Sequence, residues 1–495
     1  MLLGLDRKAM LPMIVRNERL SDATIHKARL GPEERTPRVN YDFSRGQFWR
    51  RIPAWKNVTE EEFGDHRWQQ KNSVLSIKDV ESAFEGTLSP GFLADLRAGL
   101  DRTRMRIRLT PYVFSLIDWT QPADDPVRRQ FLPLGSSFTK DHPCCADDSL
   151  NEDGDRGAPL LTHRYPDKVL FLPTNVCPVY CSYCTRSRLV GGSTALKSKK
   201  PYGAAKGVWD ETFAYIEQHP EIEDVVISGG DAFMLRADLI EHIGERLLAI
   251  PHVRRFRYAT KGLAVLPMKI TSDDAWVRAL QTIVEKGRGM MKEVCVHTHF
   301  SSDSEMSEWT LGAMQRLTEL GIAVRNQSVL LRGVNDSFVC MHRTIKKLSF
   351  LNIRPYLVFV HDMVPGCEHL RTTLADAERL SKQLQGATAG FNVPRFVCDA
   401  PGGGGKRGIS SYEYYDCEIG VSAWVAPSVK PGKVFRYYDP IDQLPDSGRA
   451  VWADREELER RLAEFEREAE ASLASRNGRA ATVGGIGSEE EQVVQ

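Results

Sequence analysis

The chain has 495 residues, 42% of them hydrophobic and 27% charged; these proportions exclude collagen-like and wholly disordered chains and leave room for one large or several ordinary domains. Lys+Arg and Asp+Glu number 66 each, and a zero net charge argues against nucleic acid as the main partner. No apolar run approaches the roughly 20 residues that cross a bilayer, and Asp6 and Arg7 interrupt the N-terminus before a signal stretch can form, so no membrane partner and a cytoplasmic location are expected.

Residues 1–60 are polar and weakly periodic and read as an N-terminal extension lying on the surface. Residues 61–160 read as a helical region and linker. Val80, Phe84, Leu93 and Leu96 supply apolar points around a turn at Ser89-Pro90-Gly91, and the Gly-, Asp-, Ser- and Asn-bearing stretch 135–158 has loop composition. From 168 onward, short β-branched or aromatic runs (168–173, 224–228, 255–260, 293–297, 323–330, 355–360, 394–398) alternate with amphipathic segments (210–219, 237–250, 274–286, 306–320). Strand–helix repetition predicts an α/β fold, with a parallel sheet wholly or partly closed into a (β/α) barrel core over 161–408. Functional residues should then gather at the C-terminal ends of its strands. Residues 409–452 form a Pro-punctuated C-terminal region. The stretch 453–495 holds a charged, solvated helix (454–472) and a Gly-rich, acidic, disordered tail.

Ten cysteines in a cytoplasmic chain should be thiols, ligands or catalytic groups. Cys177, Cys181 and Cys184 crowd onto the loop after the first barrel strand, with three and then two residues between them. Three thiolates on one loop can ligate three irons of a [4Fe–4S] cluster, leaving the fourth open to chelate a small ligand and pass it an electron. A tetrahedral zinc would want a fourth Cys or His nearby, and none follows. This spacing, with Tyr183 before the last cysteine, resembles the radical S-adenosylmethionine (SAM) superfamily. The resemblance implies SAM on the open iron, an external electron donor, and cleavage of SAM to methionine and a 5′-deoxyadenosyl radical. Ser228-Gly229-Gly230-Asp231 ends the next strand; alone it reads as a tight turn, whose glycines permit close backbone approach and whose carboxylate can accept from an ammonium. In this context it resembles the motif that holds the methionine amino group.

Pro401-Gly-Gly-Gly-Gly-Lys406 follows the last strand. It is not a Walker loop, because Arg407 replaces Ser/Thr and no glycine stands at 400. Composition alone describes a flexible, anion-accommodating surface loop with a solvated lysine; the functional alternative is a Schiff-base lysine for pyridoxal 5′-phosphate (PLP). From Trp68 to Lys406, the stretches RWQQKN, LTPYVFSLIDW, DPVRRQ, THRYPDKVLFLPTNVC, CTRSR, SGGD, THF, QSVLLRGVNDS, RPYLVFVHDMVPGCEHLRT and CDAPGGGGK resemble, in order, the lysine 2,3-aminomutase family of radical SAM, PLP-dependent enzymes.

The resemblance implies that Lys406 carries PLP. Arg164, Tyr165 and Lys168 would match its phosphate-binding segment, Lys168 keeping the charge but losing the bidentate fork of the family's usual Arg. His299 would lie beside SAM and PLP, and Arg186 would grip the substrate α-carboxylate. Asp362 and Asp399 would receive the ε-ammonium, since two buried carboxylates repel unless a cation lies between them. The implied enzyme is an isomerase moving the α-amino group of lysine to Cβ. Arginine, ornithine or a protein lysine are the alternative substrates, and a non-catalytic Fe–S or PLP module is the alternative class. A homo-oligomer is expected. Ser182-Tyr183 stand where the family commonly has Arg-His. Ser337 stands where it has a cysteine ligand to zinc, and a downstream Cys cluster is missing, so no structural zinc is expected.

Overall fold

A computed structural model describes residues 39, 41–199, 202 and 206–484. The apolar runs become one 10-stranded sheet whose spatial order follows the sequence: β1 (Arg156–Ala158), β2 (Leu161–Tyr165), β3 (Lys168–Phe171), β4 (Asp224–Ile227), β5 (Arg255–Ala259), β6 (Glu293–Thr298), β7 (Val324–Leu330), β8 (Arg354–Val360), β9 (Arg395–Ala400) and β10 (Gly405–Gly408). From β3 to β9 each strand pairs in parallel with the next. β1 and β2 flank one edge and β10 the other, all antiparallel. The two edges do not pair with each other, so the barrel is partial.

In the strands β4 and β5 period-two alternation separates core from cavity, while consecutive residues of β3, β7 and β8 line the cavity. Phe171, Val225, Ile227, Phe256 and Tyr258 are buried in the main apolar core, while Leu170, Val226, Arg257, Ala259, His297 and Gln327 line an inner cavity. The outer layer comprises helices Asp210–Gln218, Ala237–Ala249, Asp274–Gly289, Glu308–Glu319, Phe338–Phe350 and Leu374–Leu384. Each turns one stripe inward; Val277, Leu280, Ile283 and Val284 are the stripe of the longest. Burial of each such side chain contributes about 1.5–3 kcal/mol. Ser337, at the position where zinc ligation was considered, caps Phe338–Phe350 by accepting the Cys340 N–H at 3.2 Å.

Three expectations need correcting. Residues 41–60 are not a surface extension: Phe43, Phe48, Trp49, Ile52 and Trp55 belong to the main core, and Trp49 stacks on Phe63 with ring centroids 4.1 Å apart. A few large aromatics outweigh the polar composition, because each buries so much surface; residues 1–38 lie outside the described residues. The Ser89-Pro90-Gly91 turn is a helix start, with Ser89 capping Pro90–Asp101 and proline in its first turn. The C-terminal region folds as a three-stranded antiparallel sheet, β11 (Tyr414–Asp416), β12 (Val421–Ala426) and β13 (Lys430–Tyr438). The charged helix spans Arg455–Gly484 and is not solvated all round, since Phe465 and Ala469 pack in one cluster with Ile419, in the turn before β12, and Val421 of β12. It covers the first residues of the expected disordered tail; 485–495 lie outside the described residues. No helix among the described residues is long and apolar enough to cross a membrane.

Candidate active site

A cavity of about 360 Å³ lies inside the curved sheet. Its lining includes Cys177, Cys181 and Cys184, the turn Ser228, Gly229, Gly230 and Asp231, then Arg164, Tyr165, Lys168, Arg186, His299, Asp362, Asp399 and Lys406. The fold thus brings every site residue read from the sequence to one space.

The cysteine loop leaves the end of β3 and is clamped by the turn after β4. The Gly230 N–H donates to the Thr174 carbonyl at 2.5 Å and the Asp231 N–H to the Val176 carbonyl at 3.0 Å. A Cβ at Gly230 would sit 2.5 Å from the Val176 nitrogen. The glycines therefore allow two protein backbones to approach closely, and the same turn lines the cavity. Asp231 is similarly engaged: Oδ1 accepts the Phe233 N–H and Oδ2 the Lys261 N–H, both at 2.8 Å. The expected ammonium contact falls on a carboxylate whose oxygens each already accept a backbone donor.

Burial pushes the Cys177 and Cys184 thiols up and Cys181 up to about 12, and neighbouring thiols add to the rise at Cys177 and Cys181. A coordinating metal cation would ionise such thiols. All three are free, and sulfur donors on one loop suit an iron–sulfur cluster, although no three His, Cys, Asp or Glu side chains among the described residues are already gathered as a metal-binding group. Behind the loop runs a buried network that sequence reading missed. Lys261 Nζ pairs with Glu305 Oε1 at 2.6 Å and donates to the His299 carbonyl at 3.1 Å. The Ser301 and Ser302 N–H groups donate to Glu305 Oε2 at 2.6 and 2.7 Å. Tyr183 OH donates to Gln130 Oε1 at 3.0 Å and lies 3.3 Å from His299 Nε2. Burial, then the Lys261 charge, lowers the His299 pKa and keeps the ring neutral.

On the other side of the cavity, Gly402 and Gly403 take positive φ (76° and 93°) and turn β9 into β10 as a tight hairpin, not the flexible loop that composition suggested. The hairpin sets Lys406 directly opposite Asp399, with Nζ 3.2 Å from Oδ2. The Lys406 N–H donates to the Tyr165 hydroxyl at 2.8 Å. Burial opposes the Lys406 charge, but Asp399 and Tyr165 together outweigh it and the net pKa is raised. Asp399 Oδ1 is buried without a hydrogen-bond partner among the described residues, so this carboxylate can take a second donor. Asp362 Oδ2 accepts from the Thr185 hydroxyl at 2.6 Å. Burial and then Asp399 push Asp362 up to about 7. Lys168 lies 3.8 Å over the Tyr165 ring and is pulled down to about 8 by burial, then by Lys406 and Arg257.

Both expected arginines already hold carboxylates, and both carboxylates come from the segment read as a linker. Arg164 Nε lies 2.7 Å from Asp155 Oδ2, while Asp155 Oδ1 lies 2.7 Å from Lys430 Nζ of β13. Arg186 Nη2 lies 2.7 Å from Glu152 Oε1. The segment is pinned by the Glu152 N–H donating to Asp148 Oδ1 at 2.9 Å, and by the Gly402 N–H donating to the Ser149 carbonyl at 2.8 Å. Residues 148–155 are therefore an ordered wall and not a linker. The loop composition was read correctly, but nothing local in DSLNEDGD names the arginines it meets.

Residues 381–414 match the family model described as Lysine-2,3-aminomutase. Over 357 residues the chain is 37% identical to the L-lysine 2,3-aminomutase of Acetoanaerobium sticklandii, covering 72% of this chain and 80% of that protein. The chain belongs to the lysine 2,3-aminomutase family. The family relative from Clostridium subterminale, also an L-lysine 2,3-aminomutase, is 36% identical over 73% of this chain and 81% of its own length. A more distant member, the glutamate 2,3-aminomutase of Clostridioides difficile, is 30% identical over 71% of this chain and 77% of its own.

Proposed function

We infer that this chain is a radical SAM, PLP-dependent isomerase that moves the α-amino group of L-lysine to Cβ, giving β-lysine. The observation that carries this reading is the shared cavity of about 360 Å³ whose lining includes both the three thiols and Lys406. Cys177, Cys181 and Cys184 would hold the cluster, the Ser228–Asp231 turn SAM, Arg164, Tyr165 and Lys168 the PLP phosphate, and Lys406 its aldehyde. When bound, these groups supply the hydrogen-abstracting radical and a carrier for the migrating nitrogen.

The chain's own part is to bind, orient and exclude water. Arg186 meets the α-carboxylate and fixes which end of the substrate faces Lys406. Asp362 and Asp399 meet the side-chain ammonium, Asp362 giving up its proton as the cation arrives. This acid pair favours lysine over glutamate, whose terminal carboxylate it would repel. Val179, Tyr183, Val329 and Phe359 line the space between and shield a reactive intermediate from solvent. The reading includes an external one-electron donor, a homo-oligomeric assembly and a cytoplasmic setting in which the cysteines stay reduced.

The test is an anaerobic assay of reconstituted protein with SAM, PLP, reductant and a panel of amino acids, reading out β-isomers by mass spectrometry. β-Lysine is the expected product. Turnover of arginine, ornithine or a lysine-bearing peptide alone would overturn the substrate, and intact SAM under all conditions would overturn the reaction.

A further inference from the structure

One edge of the Arg186 guanidinium is already taken. Nε and Nη2 lie 3.0 and 2.7 Å from Glu152 Oε1, and Nε lies 3.2 Å from Oε2. Nε and Nη2 form the side edge of the group. The end edge, built from Nη1 and the second hydrogen of Nη2, has no hydrogen-bond partner among the described residues, and Arg186 lines the cavity.

Glu152 is itself held independently of Arg186. Its N–H is fixed by Asp148, and Arg188 Nη2 lies 3.6 Å from its Oε2. Arg188 is in turn tied to Asp148 at 3.3 Å and to Asp153 at 2.9 Å. The Glu152 side chain is only 7% exposed. A guanidinium offers two planar edges suited to a carboxylate, and a buried acid on one of them determines where the other points. Arginine is otherwise long and flexible, and ordering it on substrate arrival would cost affinity.

We propose that Glu152 is a positioning residue: it grips the side edge of Arg186 so that the end edge faces the cavity and recognises the free α-carboxylate of the amino-acid substrate. The proposal rests on the functional reading above and deepens it. It restricts the substrate class to free α-amino acids and excludes amides, esters and lysines inside a peptide chain.

The experiment compares KM and kcat for L-lysine and L-lysinamide in the wild type, Glu152→Ala and the near-isosteric Glu152→Gln. In the wild type lysine is strongly preferred. Glu152→Ala raises KM for lysine by about 10- to 100-fold, as expected for loss of a charged hydrogen-bond anchor, leaves KM for lysinamide within about twofold, and so collapses the preference. Glu152→Gln, which keeps one acceptor, falls between. An unchanged lysine-to-lysinamide ratio in both variants, or a kcat loss shared equally by both compounds, would overturn the proposal. PLP absorbance and iron content check that each variant is loaded, and Glu152→Gln carries the test if the alanine protein does not fold. If the wild type does not isomerise lysine, the functional reading fails by itself. Calorimetric binding of lysine against lysinamide then decides the Glu152 role: preference lost in the variant sustains it, and preference kept overturns it.

Discussion

On the hairpin side of the cavity two cations are set against acids, Lys406 against Asp399 at 3.2 Å and Arg164 against Asp155 at 2.7 Å, while Lys168 lies over the Tyr165 ring. On the thiol side, burial holds three cysteines in their neutral form, and the nearby buried ion pair, Lys261–Glu305, is closed on itself at 2.6 Å. The hairpin side is preorganised by its own charges, so a ligand there must exchange partners with groups already paired. The thiol side acquires charge only from what binds it. Two sides built so differently should fail separately.

The largest effects test that separation. Cys181→Ala should abolish turnover, by about 10³-fold or more, and remove the iron–sulfur absorbance while leaving the PLP absorbance intact. Lys406→Ala should lose turnover to the same degree with the opposite spectral pattern. Loss of both signals in either variant would show that the two sides assemble as one. Next in size is the buried pair behind the thiol loop. Glu305→Gln leaves Lys261 charged and unpaired, and should destabilise the protein by about 3–5 kcal/mol, read as a lower urea midpoint.

A smaller effect comes from Asp362. Its carboxyl is raised from 3.8 to about 7, so in the folded state it keeps a proton that the unfolded chain releases. The ligand-free protein should therefore lose stability as pH climbs from about 4 through 7, and Asp362→Asn should abolish that loss. Affinity for lysine runs the other way, rising with pH until Asp362 is ionised near 7. In Asp362→Asn that rise should be absent and binding about tenfold weaker; a calorimetric pH series measures both. Smallest is Tyr165→Phe, which removes the hydroxyl that accepts the Lys406 N–H and should weaken PLP binding by about three- to tenfold, measured by absorbance titration.

Much of this architecture was legible in the residues. The run 224–228 became β4 (Asp224–Ile227) and 355–360 became β8 (Arg354–Val360), because a strand covered on both faces leaves a short, continuous apolar and β-branched run in the sequence. The Cys177–Cys184 spacing was readable because all three thiols sit on one loop. Residues 41–60 were misjudged because five large apolar side chains are a small part of a polar stretch. The glycine run before Lys406 was misjudged because flexible and tightly turned glycines have the same composition.

The amino-acid order alone determined the strands, the helices between them, and the residues that face inward from strand ends, since these depend on neighbours within a few positions. Which charges meet was decided only by tertiary structure. Glu152 and Arg186 are 34 positions apart, and Lys430 reaches Asp155 from a separate sheet. An ion pair is specific in distance and orientation, and those quantities exist only once the loops have docked.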